Sequence, residues 1–239
     1  MKYAIISDIH SNLAALQNAL DYIKKEKLDQ IICLGDVVGY GPRPNECIEL
    51  VKENCDVCLM GNHDHAVLGL TDIEYFNQYA RDSVVWTQKH LDPENKKFLK
   101  SLPFTHEIDG VLFVHSTPLE PEEWNYIFSD QDAQRNFDSI PNNLIFIGHS
   151  HIPVIFSFDN PSLFKDQLQL DLENERYIIN VGSIGQPRNE DPRSCFVVYD
   201  DKAKTINYIR LEYDVKKTFQ EIIDNKLSPF LAMRLLHGF

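Results

Sequence analysis

Short apolar runs that each stop at a polar residue recur through the first 151 residues of the chain. Residues 4–7, 31–35, 111–114 and 144–148 form such runs, and an aspartate or a histidine follows each one directly. An apolar run of this length, bounded by a turn residue, is typical of a buried strand in an α/β sheet. Because ligand crevices in such sheets lie at the carboxyl ends of strands, we expect these polar residues to meet at one edge.

The apolar spacing between these runs predicts helices. The pattern over residues 2–59 alternates strand, helix, strand, helix and strand. The first helix begins after Asn12, whose side chain is suited to cap it, and Pro44 marks the start of the second. Residues 63–101 have the spacing of a long helical region, and Ser129, with an acidic residue three positions later, predicts the capping box of a further helix.

The second half of the chain is rich in β-forming residues separated by turns. The predicted strands cover residues 154–158, 167–172, 177–181, 195–199 and 205–211. Two helices then follow, one capped by Asp214 and one opened by Pro229. A βαβ half followed by an antiparallel half predicts an α/β fold in which two sheets pack face to face with helices outside. We expect one domain over residues 1–239, because no linker or shift in composition divides the chain.

Composition and charge narrow the class of protein. The formal net charge is −13, which disfavours binding to long nucleic acids or anionic membranes. It does not exclude small phosphate substrates, because bound divalent ions would reverse the local field. No apolar stretch approaches the roughly 20 residues of a membrane span. The five cysteines lie mostly in apolar contexts, so we expect a cytoplasmic protein with reduced thiols.

The residues that end the apolar runs have side chains suited to metal ions. Asp8 and His10 are two positions apart, as are His149 and His151, so each pair points to one side of an extended strand end. The two carboxylate oxygens of Asp36 can bind different ions. Nitrogen and oxygen ligands without thiolate favour Mn, Fe, Zn or Co over Ca or Mg. Two such ions roughly 3.5–4 Å apart can bind a phosphoryl group and activate water.

Each of these residues also has a simpler interpretation when it is taken alone. Asp8 could be a turn or capping carboxylate, Asn62 follows Gly61 in a turn signal, and His115 could be a hydrogen-bonded core histidine. However, five of the nine histidines lie within the ordered set of motifs. The arrangement as a whole therefore favours a metal site.

These motifs resemble, in the same order, those of the calcineurin-like metallophosphoesterases. The matching segments are Asp8-x-His10, Gly35-Asp36, Gly61-Asn62-His63-Asp64, the isolated His115, and Gly148-His149-Ser150-His151. They span residues 8–151, which is well over half of the chain. Residues 180–188 also resemble a segment of the small bacterial and archaeal branch of that family.

The resemblance implies a four-layer α/β/β/α sandwich of two mixed sheets flanked by helices, with a site for two divalent metal ions, Mn or Fe/Zn. By motif, it assigns the first ion to Asp8, His10 and His151, the second to Asn62, His115 and His149, and the bridging position to Asp36. His63 corresponds to the histidine that stabilises or protonates the leaving group, and Asp64 to the carboxylate partner of that histidine.

The activity that the resemblance implies is hydrolysis of a phosphate ester by in-line attack of a metal-bridging hydroxide. Residues 37–42 lack the arginine-bearing continuation of phosphoprotein phosphatases, and Asp64 replaces their usual glutamate. We therefore expect a small or nucleotide-like phosphate ester as substrate, with a diester preferred. The alternatives are a phosphomonoesterase, a dinucleoside polyphosphate or protein phosphatase, and a non-catalytic protein-binding scaffold. The scaffold predicts a missing ligand or a replaced His63.

Several residues outside the motifs have two interpretations each. Arg188 presents a fork suited to phosphate, or it forms an ion pair with an acidic neighbour such as Asp191; for Arg193 the ion pair is favoured. Asn12 could donate to substrate or only cap its helix. The apolar residues within 230–236 could close the domain or pack against a second subunit of a homodimer.

Three further residues could approach a substrate. His65 follows the Asp64 turn, and Tyr40 and Trp124 are aromatic residues beside predicted loops. Surface, capping or packing roles are the simpler interpretation of all three.

Overall fold

Two mixed β-sheets lie face to face in the computed structural model, which describes residues 1–239. The first sheet contains, in spatial order, β3 (Val57–Cys58), β2 (Gln30–Cys33), β1 (Lys2–Ile6), β10 (Ser194–Asp200), β11 (Thr205–Leu211) and β8 (Gln167–Gln169). The second contains β4 (Thr105–Ile108), β5 (Val111–Val114), β6 (Leu144–Ile147), β9 (Tyr177–Asn180) and β7 (Val154–Ser157). Each sheet takes strands from both halves of the chain. The strands β1, β2 and β3 are parallel, as are β5, β6 and β9, and the other pairs are antiparallel.

The core between the sheets follows from the two-residue period of the strands. Ile5 pairs with Ile32 on one side and with Val197 on the other, and all three side chains point into this interior. Ala4 and Ile6, one position away, point to the opposite face. Successive side chains of a strand alternate between faces, so β1 contributes apolar side chains to two layers at once.

Helices cover the outer faces of both sheets. They are α1 (Leu13–Glu26), α2 (Pro44–Asn54), α3 (Asn62–Val67), α4 (Gln78–His90), α5 (Pro93–Lys100), α6 (Asp130–Ser139), α7 (Val215–Asp224) and α8 (Pro229–His237). The apolar sides of α1, α2 and α5 pack on the first sheet, and α6 packs on the second. The predicted four-layer α/β/β/α sandwich is confirmed. None of the helices combines the length and the apolar character that crossing a membrane requires.

The helical region predicted for residues 63–101 is present as α3, α4 and α5, but the prediction is wrong for residues 68–77, which form no α-helix. After α3, Gly69 adopts a left-handed conformation with φ +75°, and a short 3-10 turn at Ile73–Tyr75 precedes α4. Pro93 then starts α5, since a proline cannot continue the hydrogen bonding of the preceding helix. The loop over residues 68–77 reaches the candidate site described below.

The capping predictions for the remaining helices are confirmed. The Ser129 hydroxyl accepts a hydrogen bond from the Asp132 amide, and the Asp132 carboxylate accepts one from the Ser129 amide. Asp214 caps α7 by accepting from the Lys217 amide at 3.0 Å. Pro229 is in the first turn of α8. These local signals depend only on neighbouring residues, which is why they can be predicted from sequence.

Candidate metal centre

The loops that follow β1, β2, β5 and β6 come together at one edge of the sandwich. The amide of Asp8 donates to the Gly35 carbonyl at 3.0 Å, and the amide of His10 donates to the Asp36 carbonyl at 2.9 Å. Across the two sheets, the amide of His149 donates to Asp8 Oδ2 at 3.0 Å. The expected meeting of polar residues at one edge is therefore present in the structure.

The proposed ligands form two groups that share one carboxylate. The first contains Asp8, His10, Asp36 and His151, and the second contains Asp36, His115 and His149. In each group, the candidate ligand atoms all lie within 4.8 Å of one another. Asn62 extends the second group, since its Oδ1 lies 3.3 Å from His115 Nε2. The seven residues assigned by motif are all buried.

Buried atoms without hydrogen-bond partners show that this arrangement fits cations. Asp8 Oδ1 and Asp36 Oδ2 are buried carboxylate oxygens that accept no hydrogen bond within the chain. His151 Nε2 lies 3.3 Å from the first of these oxygens, and His115 Nε2 lies 3.4 Å from the second. Unpaired buried carboxylate oxygens are costly, so their convergence with imidazole nitrogens fits divalent ions.

Backbone carbonyls fix which nitrogen of three histidines is free to bind an ion. His10 Nδ1 lies 3.0 Å from the Val38 carbonyl, and His151 Nδ1 lies 2.5 Å from the Gln186 carbonyl. A carbonyl only accepts, so these nitrogens carry the proton and each Nε2 keeps its lone pair. His149 has the opposite arrangement, because its Nε2 lies 2.9 Å from the Trp124 carbonyl. Its free nitrogen is therefore Nδ1.

The charges of the group are strongly coupled. Burial acts to lower the pKa of His115, but the carboxylates around it, Asp36 foremost and then Asp8 and Asp64, together outweigh burial and raise that pKa to about 9. Burial also acts to raise the pKa of Asp36, yet the imidazoles around it, His115 foremost, hold that pKa well below its ordinary value. Burial lowers the pKa of His149 to about 3, so its imidazole is neutral and suited to ligation.

Most of the proposed ligands have an unusual backbone conformation. Five of the seven proposed ligands have φ between 50° and 66°, namely Asp8, His10, Asp36, His149 and His151. This left-handed region is unfavourable for residues other than glycine by roughly 1–2 kcal/mol each. Sharp turns at the strand ends therefore direct the side chains into the site, and the surrounding hydrogen bonds hold them there.

The motif glycines are required by close approach of the backbone. A Cβ on Gly61 would lie 2.2 Å from Asp36 Oδ1, and a Cβ on Gly148 would lie 2.1 Å from Ser7 Oγ. Both distances are far shorter than real Cβ contacts. Only glycine lets these turns pass directly behind the carboxylates of the site.

His63 lies beside the two groups and lines an adjoining cavity. Its ring packs between Tyr40 and Phe76, with ring centroids 4.4 Å and 5.3 Å away. Its Nδ1 is buried without a hydrogen-bond partner, and burial lowers the pKa of the imidazole to about 4. His63 is therefore a neutral imidazole at the edge of the site.

The structure does not bring Asp64 to His63 as the expected carboxylate partner. The Asp64 carboxylate instead accepts hydrogen bonds from the amides of Val37, Val38 and Gly61, at 3.1–3.3 Å. Burial, and then the nearby Asp36, raise the pKa of Asp64 above its ordinary range. Asp64 therefore joins the loops after β2 and β3, and its influence on His63 acts through the backbone.

Arg188 and Arg193 have different surroundings, as the sequence alternatives allowed. Arg193 forms an ion pair with Asp191, with Nη2 2.6 Å from Oδ2. Arg188 instead contacts Gln186 Oε1 at 3.1 Å and the Tyr40 hydroxyl at 3.4 Å, and its buried Nε has no partner. The charge of Arg188 acts to lower the pKa of His63 and of His151, so it lies close to the site.

Both polar atoms of the Asn12 side chain form hydrogen bonds within the protein. Its Oδ1 accepts from the amide of Ala15 and from the hydroxyl of Thr218, at 3.3 Å and 2.9 Å. Its Nδ2 donates to the Gly185 carbonyl at 2.9 Å and to the Tyr213 hydroxyl at 3.1 Å. Asn12 is 1% exposed. These contacts favour the capping interpretation over substrate binding, and they join α1 to α7.

We expect Asn12→Ala to lower the free energy of unfolding by about 2–3 kcal/mol, because a helix cap and buried hydrogen bonds are lost. KM should stay at the wild-type value. Denaturant unfolding and steady-state kinetics measure the two effects. Ser129→Ala, which removes the exposed cap of α6, should cost only about 1 kcal/mol. An increase in KM without loss of stability would restore the substrate-binding role of Asn12.

Several contacts near the site were not predicted from sequence. Tyr126 stacks on His149, with ring centroids 3.9 Å apart, and the carbonyls of Trp124 and Gln186 orient ligand histidines. The Arg234 guanidinium, from α8, lies 5.9 Å from the ring of Tyr40. Contacts made by backbone carbonyls have no side-chain signature, and an arginine on a surface helix is most simply interpreted as solvated.

Comparison with known proteins agrees with this geometry. A family model described as the calcineurin-like phosphoesterase superfamily domain matches residues 1–203. Protein MJ0912 of Methanocaldococcus jannaschii is 45% identical over 242 aligned residues, which cover 98% of this chain and 97% of the relative. The phosphodiesterase YfcE of Escherichia coli K12 is 23% identical over 207 residues, which cover 86% of this chain and 91% of YfcE.

Solved structures agree as well. A metallophosphoesterase from Sphaerobacter thermophilus superimposes with a TM-score of 0.90 at 36% identity, covering 100% of this chain and 99% of the other. Protein PH1004 of Pyrococcus horikoshii OT3 shares the fold with a TM-score of 0.82 at 19% identity, covering 100% and 98% of the two chains. With this family match and a residue cluster that fits divalent ions, the chain belongs to the calcineurin-like phosphoesterase superfamily and is a hydrolase of phosphate ester bonds.

Proposed function

We propose that this protein is a dinuclear metal-dependent phosphodiesterase that acts on small or nucleotide-like phosphate esters. The observation that carries the proposal is the pair of ligand groups that share Asp36. A shared carboxylate, with an unpaired oxygen between imidazoles of both groups, fits two ions held side by side. Asp8, His10 and His151 would hold the first ion, and Asn62, His115 and His149 the second.

Bound divalent ions at this site would neutralise phosphoryl oxygens and lower the pKa of the attacking water. The chain itself fixes the ligands through the carbonyls of Val38, Gln186 and Trp124. Outer hydrogen bonds of this kind orient ligand histidines. Manganese, iron, zinc and cobalt all suit this nitrogen and oxygen donor set.

We propose that His63 stabilises or protonates the leaving group. It is adjacent to both ligand groups without belonging to either, and it lines the cavity next to Asn62 and His149. The neutral imidazole can donate a hydrogen bond to the oxygen that departs from phosphorus. Negative charge on a bound ester would favour the imidazolium, which can then transfer a proton to that oxygen as the bond breaks and return to the neutral form. Asp64 acts as a positioning residue, because it holds the turn that carries His63.

We propose that Arg188 binds the phosphoryl oxygens of the substrate. Unlike Arg193, it has no carboxylate partner, and a buried guanidinium nitrogen without a partner is costly. A phosphodiester has one negative charge and a monoester has two. Because the Arg234 guanidinium also lies 5.9 Å from the ring of Tyr40, the number of cations does not decide between the two esters. The preference for the diester rests on residues 37–42, which lack the arginine-bearing continuation of phosphoprotein phosphatases.

We expect Arg188→Met to raise KM roughly tenfold or more, because a charge-assisted hydrogen bond contributes about 1.5–3 kcal/mol. The metal content should be that of the wild type. Steady-state kinetics and elemental analysis measure the two effects. Arg193→Met is the matched control and should leave KM unchanged. Equal KM values for the two variants would remove Arg188 from the substrate site.

The function is tested with protein stripped of metal by a chelator and then reloaded with Mn, Fe, Zn or Co. Each form is assayed on a paired aryl phosphate monoester and diester. We expect no activity without metal, recovery on reloading, and a higher kcat/KM for the diester. A higher kcat/KM for the monoester would support the phosphomonoesterase instead. Inactivity on both esters, with two ions bound, would support the scaffold, although no ligand is missing and His63 is present.

Two further expectations remain proposals. Cys33, Cys47 and Cys195 are buried free thiols, which supports a reducing, cytoplasmic location. Phe230 and Met233 of α8 are 39% and 45% exposed, which supports a homodimer contact on this helix.

A further inference from the structure

A cavity of about 550 Å³ opens directly beside the metal centre. Asn62, His63 and His149 form its inner wall, so its inner end lies where the leaving group would depart. Its volume is within the range of sites for small organic ligands. The outer walls come from the loop over residues 68–77 and from the segment around Trp124.

Five aromatic side chains line this cavity. They are Tyr40, Tyr75, Phe76, Trp124 and Tyr126. Tyr75 is 89% exposed and Tyr126 is 42% exposed, so their rings contribute little to the core. The ring of Tyr126 stacks on His149, which makes the aromatic wall continuous with the metal centre. Exposed rings that converge on a catalytic centre are suited to stacking on a flat ligand.

The charges that line the cavity are all negative. Asp72, Glu122 and Glu123 lie on its walls, and no lysine or arginine lines it to balance them. Arg188, in contrast, is not among its lining residues and contacts Gln186 and Tyr40. A second phosphate or a carboxylate in the cavity would therefore face like charges without a cation, whereas a neutral or cationic group would not.

We propose that the cavity binds an aromatic ring of the substrate that is uncharged or cationic, and that it excludes substrates with further phosphates on that side. The inference rests on the proposed function, because it assigns the group on the leaving side of the phosphorus. The substrate is accordingly a phosphate ester of an aromatic group. That group has hydrogen-bond donors or a positive charge, which the carboxylates of Asp72, Glu122 and Glu123 can bind.

The test measures direct binding to the metal-loaded protein by titration calorimetry, with phosphonates that cannot be hydrolysed. Phenylphosphonate should bind at least about fivefold more tightly than methylphosphonate, which is the effect of one aromatic contact. A phenylphosphonate with a para trimethylammonium group should bind about tenfold more tightly than one with a para carboxylate.

Variants inside the cavity, each with a matched control outside it, test whether the cavity causes these differences in affinity. Tyr75→Ala should reduce the preference for phenyl over methyl, while Tyr79→Ala, a partly exposed tyrosine outside the cavity, should keep it. The double variant Glu122→Gln/Glu123→Gln should bring the affinities of the cationic and anionic ligands together. Glu26→Gln/Glu53→Gln, which changes two exposed glutamates on α1 and α2, should not.

Equal affinity for phenyl and methyl ligands, or tightest binding of the carboxylate ligand, would overturn the inference and leave the proposed function standing. Preferences that persist unchanged in the cavity variants would also overturn it. If the metal-loaded protein hydrolyses no ester, the proposed function fails. In that case the inference about the substrate fails with it, and the phosphonate affinities show only whether the cavity binds an aromatic ring.

Discussion

Asp36→Asn is expected to abolish stable binding of both metal ions and to lower kcat/KM by about 10³-fold or more. Asparagine preserves the shape of the side chain but removes the negative charge and one of the two oxygens. Asp36 is the one residue common to both ligand groups, so its loss affects both ions rather than one. Metal ions contribute several kcal/mol to transition-state stabilisation, and each 1.36 kcal/mol corresponds to about tenfold in rate.

Elemental analysis after gel filtration gives the metal content, and kinetics on an aryl diester give the activity. Asp109→Asn is a close control, because Asp109 also adopts a left-handed backbone, with φ 50° against 52° for Asp36, but is exposed far from the site. The control should keep both ions and full activity. An Asp36→Asn protein that retains two ions per chain would refute the bridging assignment.

His63→Ala is expected to lower kcat by about 10²–10⁴-fold while both ions remain bound, because a positioned acid contributes that much to bond cleavage. The loss should depend on the leaving group. A p-nitrophenolate departs without much help from an acid, whereas an alkoxide does not. The ratio of wild-type to variant kcat should therefore be larger for an alkyl ester than for a p-nitrophenyl ester.

A second variant distinguishes the loss of the acid from the loss of packing by the His63 ring. The ring of His63 fills space between Tyr40 and Phe76, so alanine also leaves a void. His63→Gln restores most of the volume and can donate a hydrogen bond, but it cannot transfer a proton as imidazole does. We expect folding to recover in this variant and kcat to stay low for alkyl esters. Metal loss in either variant, or equal losses for both leaving groups, would contradict the role of His63.

The edge of the fold that carries the site could be predicted because each proposed ligand follows an apolar strand. Asp8, Asp36, His115 and His149 come one to three residues after the ends of β1, β2, β5 and β6. Strand direction then places them at one edge, whatever the exact pairing. The order of strands in the sheets was not predictable in the same way. It depends on long-range contacts such as that between β1 and β10, which no local pattern encodes.

The contact expected between His63 and Asp64 is absent for a similar reason. The resemblance to the family motif assigned Asp64 as the carboxylate partner of His63, but adjacent residues in the first turn of a helix point in different directions. Asp64 instead satisfies amides of residues 37 and 38, which are distant in sequence. The aromatic cavity was also not predicted, because its walls combine the start of α3 with short turns and loops that are distant from one another in sequence.

The left-handed backbone at five of the seven proposed ligands also bears on how this protein would evolve. Glycine at positions 8, 10, 36, 149 or 151 would relieve the conformational penalty of roughly 1–2 kcal/mol at that position. At positions 8 and 36, however, glycine would also leave the buried amides of His149 and His63 without their carboxylate acceptors, which costs about 1–3 kcal/mol each. Substitution at these turns would therefore abolish the site without a clear gain in stability, so stability alone gives a descendant of this protein little reason to lose its ligands.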